Sequence, residues 1–179
     1  MSADVLQHLE TLLLRDPPPE QLTLQATLIL SHASQADFAG LYIGNADTHT
    51  FHTVHQDPEL STAILSYLEH RSRSPTPLAR KALANAQPIF VNNYKDHPDA
   101  RGAAIHLGIN TAAYLPLGHH SGLTFIATVI RASTTPTLAH NSPWTENQQT
   151  LMRAVAHKVQ AALARSSSDV GPSPSSETD

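Results

Sequence analysis

Two connections in this chain are too short to join parallel strands, and they limit its fold more than any other feature. Residues 38–44 and 49–55 read as extended segments, separated by Asn45, Ala46, Asp47 and Thr48, a loop of hairpin length. Residues 111–117 and 123–131 read the same way and flank Gly118-His119-His120-Ser121-Gly122, a turn bounded by glycines. A parallel crossover needs about a dozen residues or more, so both pairs must be antiparallel. With a short strand at 88–91 they predict one mostly antiparallel sheet of five to six strands flanked by helices. That is an α+β fold and not a doubly wound one.

Helical patterns surround these strands. Val5, Leu6, Leu9, Leu12 and Leu13 recur at helical spacing after Ser2, a good N-cap, so residues 1–16 predict an amphipathic N-terminal helix. Pro17-Pro18-Pro19 ends it, and Leu22, Ala26, Ile29 and Ala33 begin a second stripe at the head of a domain spanning 17–165. Asp57-Pro58 and Thr76-Pro77 each start a further helix, the first carrying Leu60, Ile64 and Leu68, the second Leu78, Ala82 and Ala86. The last helix follows Trp144-Thr145, where Thr145 and Gln148 fit a capping box. It carries Leu151, Val155, Val159 and Leu163 in steps of four, widened by Met152, Ala156 and Ala162. The proline break predicts a first helix set apart from the domain body, its leucines in need of a partner. The two terminal helices would then hold a homodimer, the other reading being that both stripes fold back on their own sheet.

Composition closes off several function classes. With 179 residues, 40% hydrophobic and 15% charged, the chain suits one globular domain with a substantial core. It contains no cysteine, which removes disulfides, thiolate metal ligands and cysteine nucleophiles. The longest apolar run, residues 123–130, is far short of a membrane span, and the N-terminus lacks a basic-then-apolar leader pattern. The expectation is a cytoplasmic protein with no membrane partner. Asp169, Glu177 and Asp179 account for most of the formal charge of −4, leaving about −1 elsewhere and no basic stripe for nucleic acid. Residues 166–179, rich in serine and proline, read as a disordered acidic tail.

The densest run of signals lies at residues 88–117. Pro88-Ile89-Phe90-Val91 is a short buried strand started by a proline; Asn92-Asn93-Tyr94 favours a turn. Asp96-His97-Pro98 predicts a helix start, and Ala100, Ala103, Ala104 and Leu107 form a small apolar face ended by Gly108. Leu107-Gly108-Ile109 and Leu115-Pro116-Leu117 then frame a strand. The order and spacing of these pieces, continuing through Gly122-Leu123 and Trp144-Thr145, resemble the GAF domain family over residues 20 to 165. The resemblance implies a GAF-like (PAS-like) sheet with a ligand pocket between one face and the central helices and loops.

In such a pocket Asn92, Asn93, Tyr94 and Tyr114 would orient a small molecule and Arg101 would take an anionic group. The same residues also have plain readings, with Asn92 and Asn93 as turn formers and Arg101 as a surface partner of Asp96 or Asp99. The Asn-Lys-Phe-Asp-Glu signature of cyclic-nucleotide-binding members is absent, so the resemblance does not imply cGMP or cAMP; the ligand or cofactor stays unknown. The family's reductase branch works through cysteines, which this chain lacks, as it lacks a thiol for a bilin. Nor does it carry a nucleophile elbow, a His-Glu-x-x-His pair or a phosphate-cradling glycine loop. His49, His52 and His55 are its densest histidines, and strand alternation would turn His52 away from the other two. The function expected is a sensory or regulatory domain, not an enzyme, binding a small molecule and signalling to a separate kinase, cyclase or regulator. The rival is a ligand-free dimerisation or docking module, and a cavity of about 300 Å³ or more would separate the two.

Overall fold

The computed structural model describes residues 2–45, 48–58, 60, 62–70, 75–99, 102–132 and 143–168. Helices α1 (Ser2–Leu14) and α2 (Pro19–Ser34) lead into strands β1 (Phe38–Gly44) and β2 (His49–Gln56). Helices α3 (Thr62–His70) and α4 (Pro77–Asn85), strand β3 (Ile89–Val91), a 3-10 turn (Tyr94–Asp96) and α5 (Gly102–His106) follow. Strands β4 (Ile109–His120) and β5 (Leu123–Ala132) and the long helix α6 (Glu146–Ser168) complete the chain. The five strands form one sheet in the order β2-β1-β5-β4-β3, every pair antiparallel, as the two short connections demand of β1–β2 and β4–β5.

Two apolar cores, one on each sheet face, follow from strand alternation. Ala39, Leu41, Ala113, Leu115, Ala127 and Val129 meet α2 and α6 on one side. Phe38, Tyr42, Ala112, Tyr114, Ile126 and Ile130 meet α3, α4 and α5 on the other. The capping box of α6 forms as expected: the Thr145 amide donates to Gln148 Oε1 at 3.0 Å and the Gln148 amide to Thr145 Oγ1 at 3.1 Å.

Three local expectations are corrected. Strand β4 does not stop at Leu117 but runs to His120, leaving only Ser121 and Gly122 in the turn. Both have positive φ, 50° and 77°, the backbone of a primed two-residue hairpin turn that matches strand twist. Gly118 sits inside the strand at a bulge, with φ 117°. A Cβ there would lie 3.2 Å from Leu163 Cδ1, so the glycine also lets α6 approach. Second, Asp96-His97 closes the 3-10 turn, and the α-helix is the later Gly102–His106. Third, a bulge between Ala39 and Gly40 absorbs one residue of β2. His52 pairs with Leu41 and His55 with Ala39, so those two share a face and His49, opposite Gly44, lies on the other.

Helix α1 is not set apart. Leu9 is fully buried, and Val5, Leu6, Leu12 and Leu13 pack on the core that α2 and α6 share. Lys158 Nζ meets Glu10 Oε1 at 3.2 Å across the α1–α6 contact. The stripe of α6 is likewise covered, with Met152, Val155, Val159 and Leu163 at 0–1% exposure. A three-proline break can reverse a chain as well as detach a segment, and here burial of five leucine and valine side chains decides for reversal. Helix α6 also continues to Ser168, past Arg165; residues 169–179 lie outside the described residues. Leu9→Ala should therefore destabilise the protein by about 2–4 kcal/mol in urea unfolding. A change within about 0.5 kcal/mol would mean that α1 is a free arm.

Candidate functional site

The face of the sheet turned toward α3, α4 and α5 carries side chains unlike those of the other face. From β4 comes Tyr114, and directly across the ladder from it on β5 comes Thr128. Tyr42 lies on β1, with Phe51 of β2 beside it at 4.7 Å between ring centroids and Phe38 stacked on the same ring at 6.0 Å. Gly40 makes this wall possible: a Cβ there would fall 2.0 Å from Phe51 Cζ, inside the ring it now admits. Opposite the sheet stand Tyr94 of the 3-10 turn, Ala104 of α5, Tyr67 and Leu68 of α3, and Thr76.

Together these enclose a cavity of about 30 Å³, room for one or two waters. Its chemistry is aromatic with a few hydroxyls. Tyr114 is 3% exposed, and its hydroxyl bonds the side chains of Thr76 and Tyr94. Burial, reinforced by the neighbouring Tyr94, pushes its phenol well above the ordinary range, so it stays protonated and can donate. Thr76 has a second task as N-cap of α4, accepting from the Ala79 amide at 3.2 Å. Thr128 is 5% exposed and its Oγ1 has no hydrogen-bond partner among the described protein groups. A buried hydroxyl left unpaired costs about 1–3 kcal/mol, so this atom favours a polar group that enters the cavity.

Of the five residues the sequence singled out, the structure brings together Tyr94 and Tyr114. Asn92 and Asn93, expected beside a ligand, do not line this cavity. Asn92 Oδ1 accepts from the Trp144 amide at 2.9 Å, tying the end of β3 to the start of α6. Asn93 donates to Asp96 across the 3-10 turn. Arg101 lies outside the described residues. Asp99, one of its suggested partners, is bound by Lys81, which holds its carboxyl below the usual range.

Thr76 and Thr128 are the contributors sequence reasoning missed. Thr76 was legible as a cap and not as a partner of Tyr114. Thr128 was hidden by register: counting back from the Ser121-Gly122 turn pairs Tyr114 with Val129, and only the bulge at Pro116–Gly118 brings Thr128 opposite.

The described histidines of β2 face different surroundings. His55 packs edge-on against His32 of α2 at 6.1 Å. Burial and the charge of Arg80 lower the pKa of His49, and a cationic neighbour opposes a metal ion. Among the described residues no group of three or more His, Asp or Glu side chains could hold one.

A family model described as GAF domain matches residues 22–164. No curated protein sequence matches the chain. Solved structures share its fold at low identity. One is the GAF domain of a phosphoenolpyruvate-protein phosphotransferase from Coxiella burnetii, 16% identical, covering 94% of this chain and 95% of that one with TM-score 0.62. Another is free methionine-R-sulfoxide reductase from Neisseria meningitidis, solved with its substrate, 14% identical, covering 94% and 92% with TM-score 0.63. A third is the GAF-B domain of DevS from Mycobacterium smegmatis, 15% identical, covering 85% and 97% with TM-score 0.57.

The cavity yields a test of its own. Thr128→Val should raise stability by about 1 kcal/mol in urea unfolding, because it deletes an unpaired hydroxyl. Tyr114→Phe should lower it by about 1 kcal/mol, because it breaks the bonds to Thr76 and Tyr94. A loss in both would mean that Thr128 is already satisfied.

Proposed function

Because this chain belongs to the GAF domain family, whose members are typically sensory or regulatory, we propose that it is a sensory domain whose ligand is a small uncharged molecule. The observation that supports this reading is the unpaired Thr128 hydroxyl beside the Tyr114–Tyr94–Thr76 cluster. Such an arrangement suits a ring or short chain bearing one hydroxyl or carbonyl, held by hydrogen bonds at Thr128 and Tyr114 and by the faces of Phe51 and Tyr42. No charged side chain among the described residues lines the cavity, and a charge taken into it would lose its hydration without repayment.

A volume of about 30 Å³ is too small for such a ligand, so binding would displace the helical side of the site from the sheet. Tyr114 adjoins Leu115, which faces α6 across the sheet, so a shift of β4 would reach that helix and a partner protein through it. The same small volume favours a second reading, a docking module whose pocket its own side chains fill.

The two are separated by native purification followed by mass spectrometry of released small molecules. The sensor reading expects a bound compound in near-stoichiometric amount, lost at least tenfold more readily from Thr128→Val and Tyr114→Phe. No compound from any preparation, together with a rise in stability for a cavity-filling Ala104→Val, would establish the docking module.

This reading assigns no catalytic residue. Although one solved neighbour is a reductase, this chain has no thiol. A homodimer through the terminal helices would use their outer faces, since the apolar stripes of α1 and α6 pack on the core that α2 and the sheet share. Of the large hydrophobic side chains described, Leu14 and Leu123 are the exposed ones, at 87% and 41%. Sedimentation equilibrium at tens of micromolar should give a monomer; a dimer would restore an interface on the outer faces of these helices. No helix among the described residues is long and apolar enough to cross a membrane.

A further inference from the structure

We infer that a second site, for a small organic anion, lies on the opposite face of the sheet from the cavity, in a cleft between the α4–β3 turn and α6. The cleft has a volume of about 370 Å³, ample for a small molecule where the inner cavity is not. One wall is Ala86-Gln87-Pro88, the other Arg153, His157 and Gln160.

Four observations give its chemistry. Arg153 and His157 stand four residues apart and so share one face of α6. The Arg153 guanidinium lies 4.7 Å from the centre of the Phe90 ring, and no carboxylate partners it among the described residues. The ring holds the guanidinium plane in place, so less side-chain freedom is lost when its edge donors meet a carboxylate or phosphate. Among the described residues no acidic side chain lines the cleft, although the chain as a whole carries a formal charge of −4. Gln160 donates to the Pro116 carbonyl at 2.7 Å, which leaves its side-chain oxygen for a ligand hydroxyl, and Gln87 supplies an amide from the facing wall. An anion seated there would bridge the turn that enters edge strand β3 to the helix that covers the sheet.

Amide chemical-shift titration of the full chain at constant ionic strength tests this, with inorganic phosphate and acetate as probes. Saturable shifts are expected at Ala86, Gln87 and residues 153–160, and the tighter probe identifies the anionic group. Arg153→Gln should weaken that binding at least tenfold and Ala154→Glu, which places a carboxylate in the cleft, should abolish it. Lys158→Gln removes the same charge from the neighbouring face of α6 and should leave affinity within twofold. Equal losses in Arg153→Gln and Lys158→Gln, or no saturable shift at the cleft amides with either probe, would overturn the assignment.

Discussion

Arg131, at the end of β5, is 2% exposed, and burying a guanidinium costs several kcal/mol unless its surroundings replace water. Its Nε donates at 3.1 Å to the carbonyl of Ser34, in the last turn of α2, where the helix dipole favours a cation. The charge of Asp37 stabilises the ion while burial works against it. Its remaining face lies 4.4 Å over the ring of Trp144. Trp144 in turn donates through Nε1 to the Ala112 carbonyl of β4 at 2.9 Å and through its amide to Asn92. Asp37 accepts from the Ala132 amide at 2.8 Å, and its carbonyl accepts from Asp57 at 2.7 Å. One buried cation thus fixes the end of α2, the start of β1, the end of β5 and the start of α6. Removing either Arg131 or Asp37 would strand the other, so this knot specifies the arrangement more than it adds net stability.

That knot also determines what each sheet face can do. With α2 and α6 clamped over one side, Ala113, Leu115 and Leu117 of β4 are committed to an apolar core. The alternate residues Ala112 and Tyr114 face shorter helices, α3 to α5, none longer than nine residues. Short helices carry little intrinsic stability, and their hold on the sheet comes from packing alone. The face that a ligand must open is therefore the weakly covered one, while the long helices supply the rigid reference against which an opening would register.

How far the sequence could be read follows from the range of each interaction. The antiparallel sheet, the capping box of α6 and the placement of Tyr94 and Tyr114 rest on loop length, local spacing and a recognisable central stretch, all local properties. Strand ends and faces failed where bulges intervened. Gly118 reads as a turn boundary but is the residue that lets Leu163 pack, and the Ala39–Gly40 irregularity moved His55 to the face of His52. Asn92 failed for a different reason: its partner is 52 residues away, and nothing local to an Asn-Asn pair distinguishes a ligand contact from a bond to Trp144. The leucines of α1 were correctly seen as half of an interface. What the sequence could not decide was whether that interface closed within the chain, on α2 and α6, or with a second copy.

The cavity and the cleft lie on opposite faces of the sheet, and β3, three residues long and paired to β4 alone, contributes to the core on each face. Ile89 pairs with Tyr114, the residue that carries the cavity's hydroxyl cluster, and Phe90, next along, carries the ring under Arg153. Side chains of adjacent strand residues point to opposite faces, so these two contacts lie back to back on one edge strand. Such a strand has few neighbours to resist a shift. An anion that fixed Arg153 between Phe90 and the α4–β3 turn would stiffen this edge strand and so resist the shift of β4 that a neutral ligand on the other face would bring. The two sites would then be coupled, and by reciprocity each ligand would change the affinity of the other by the same factor.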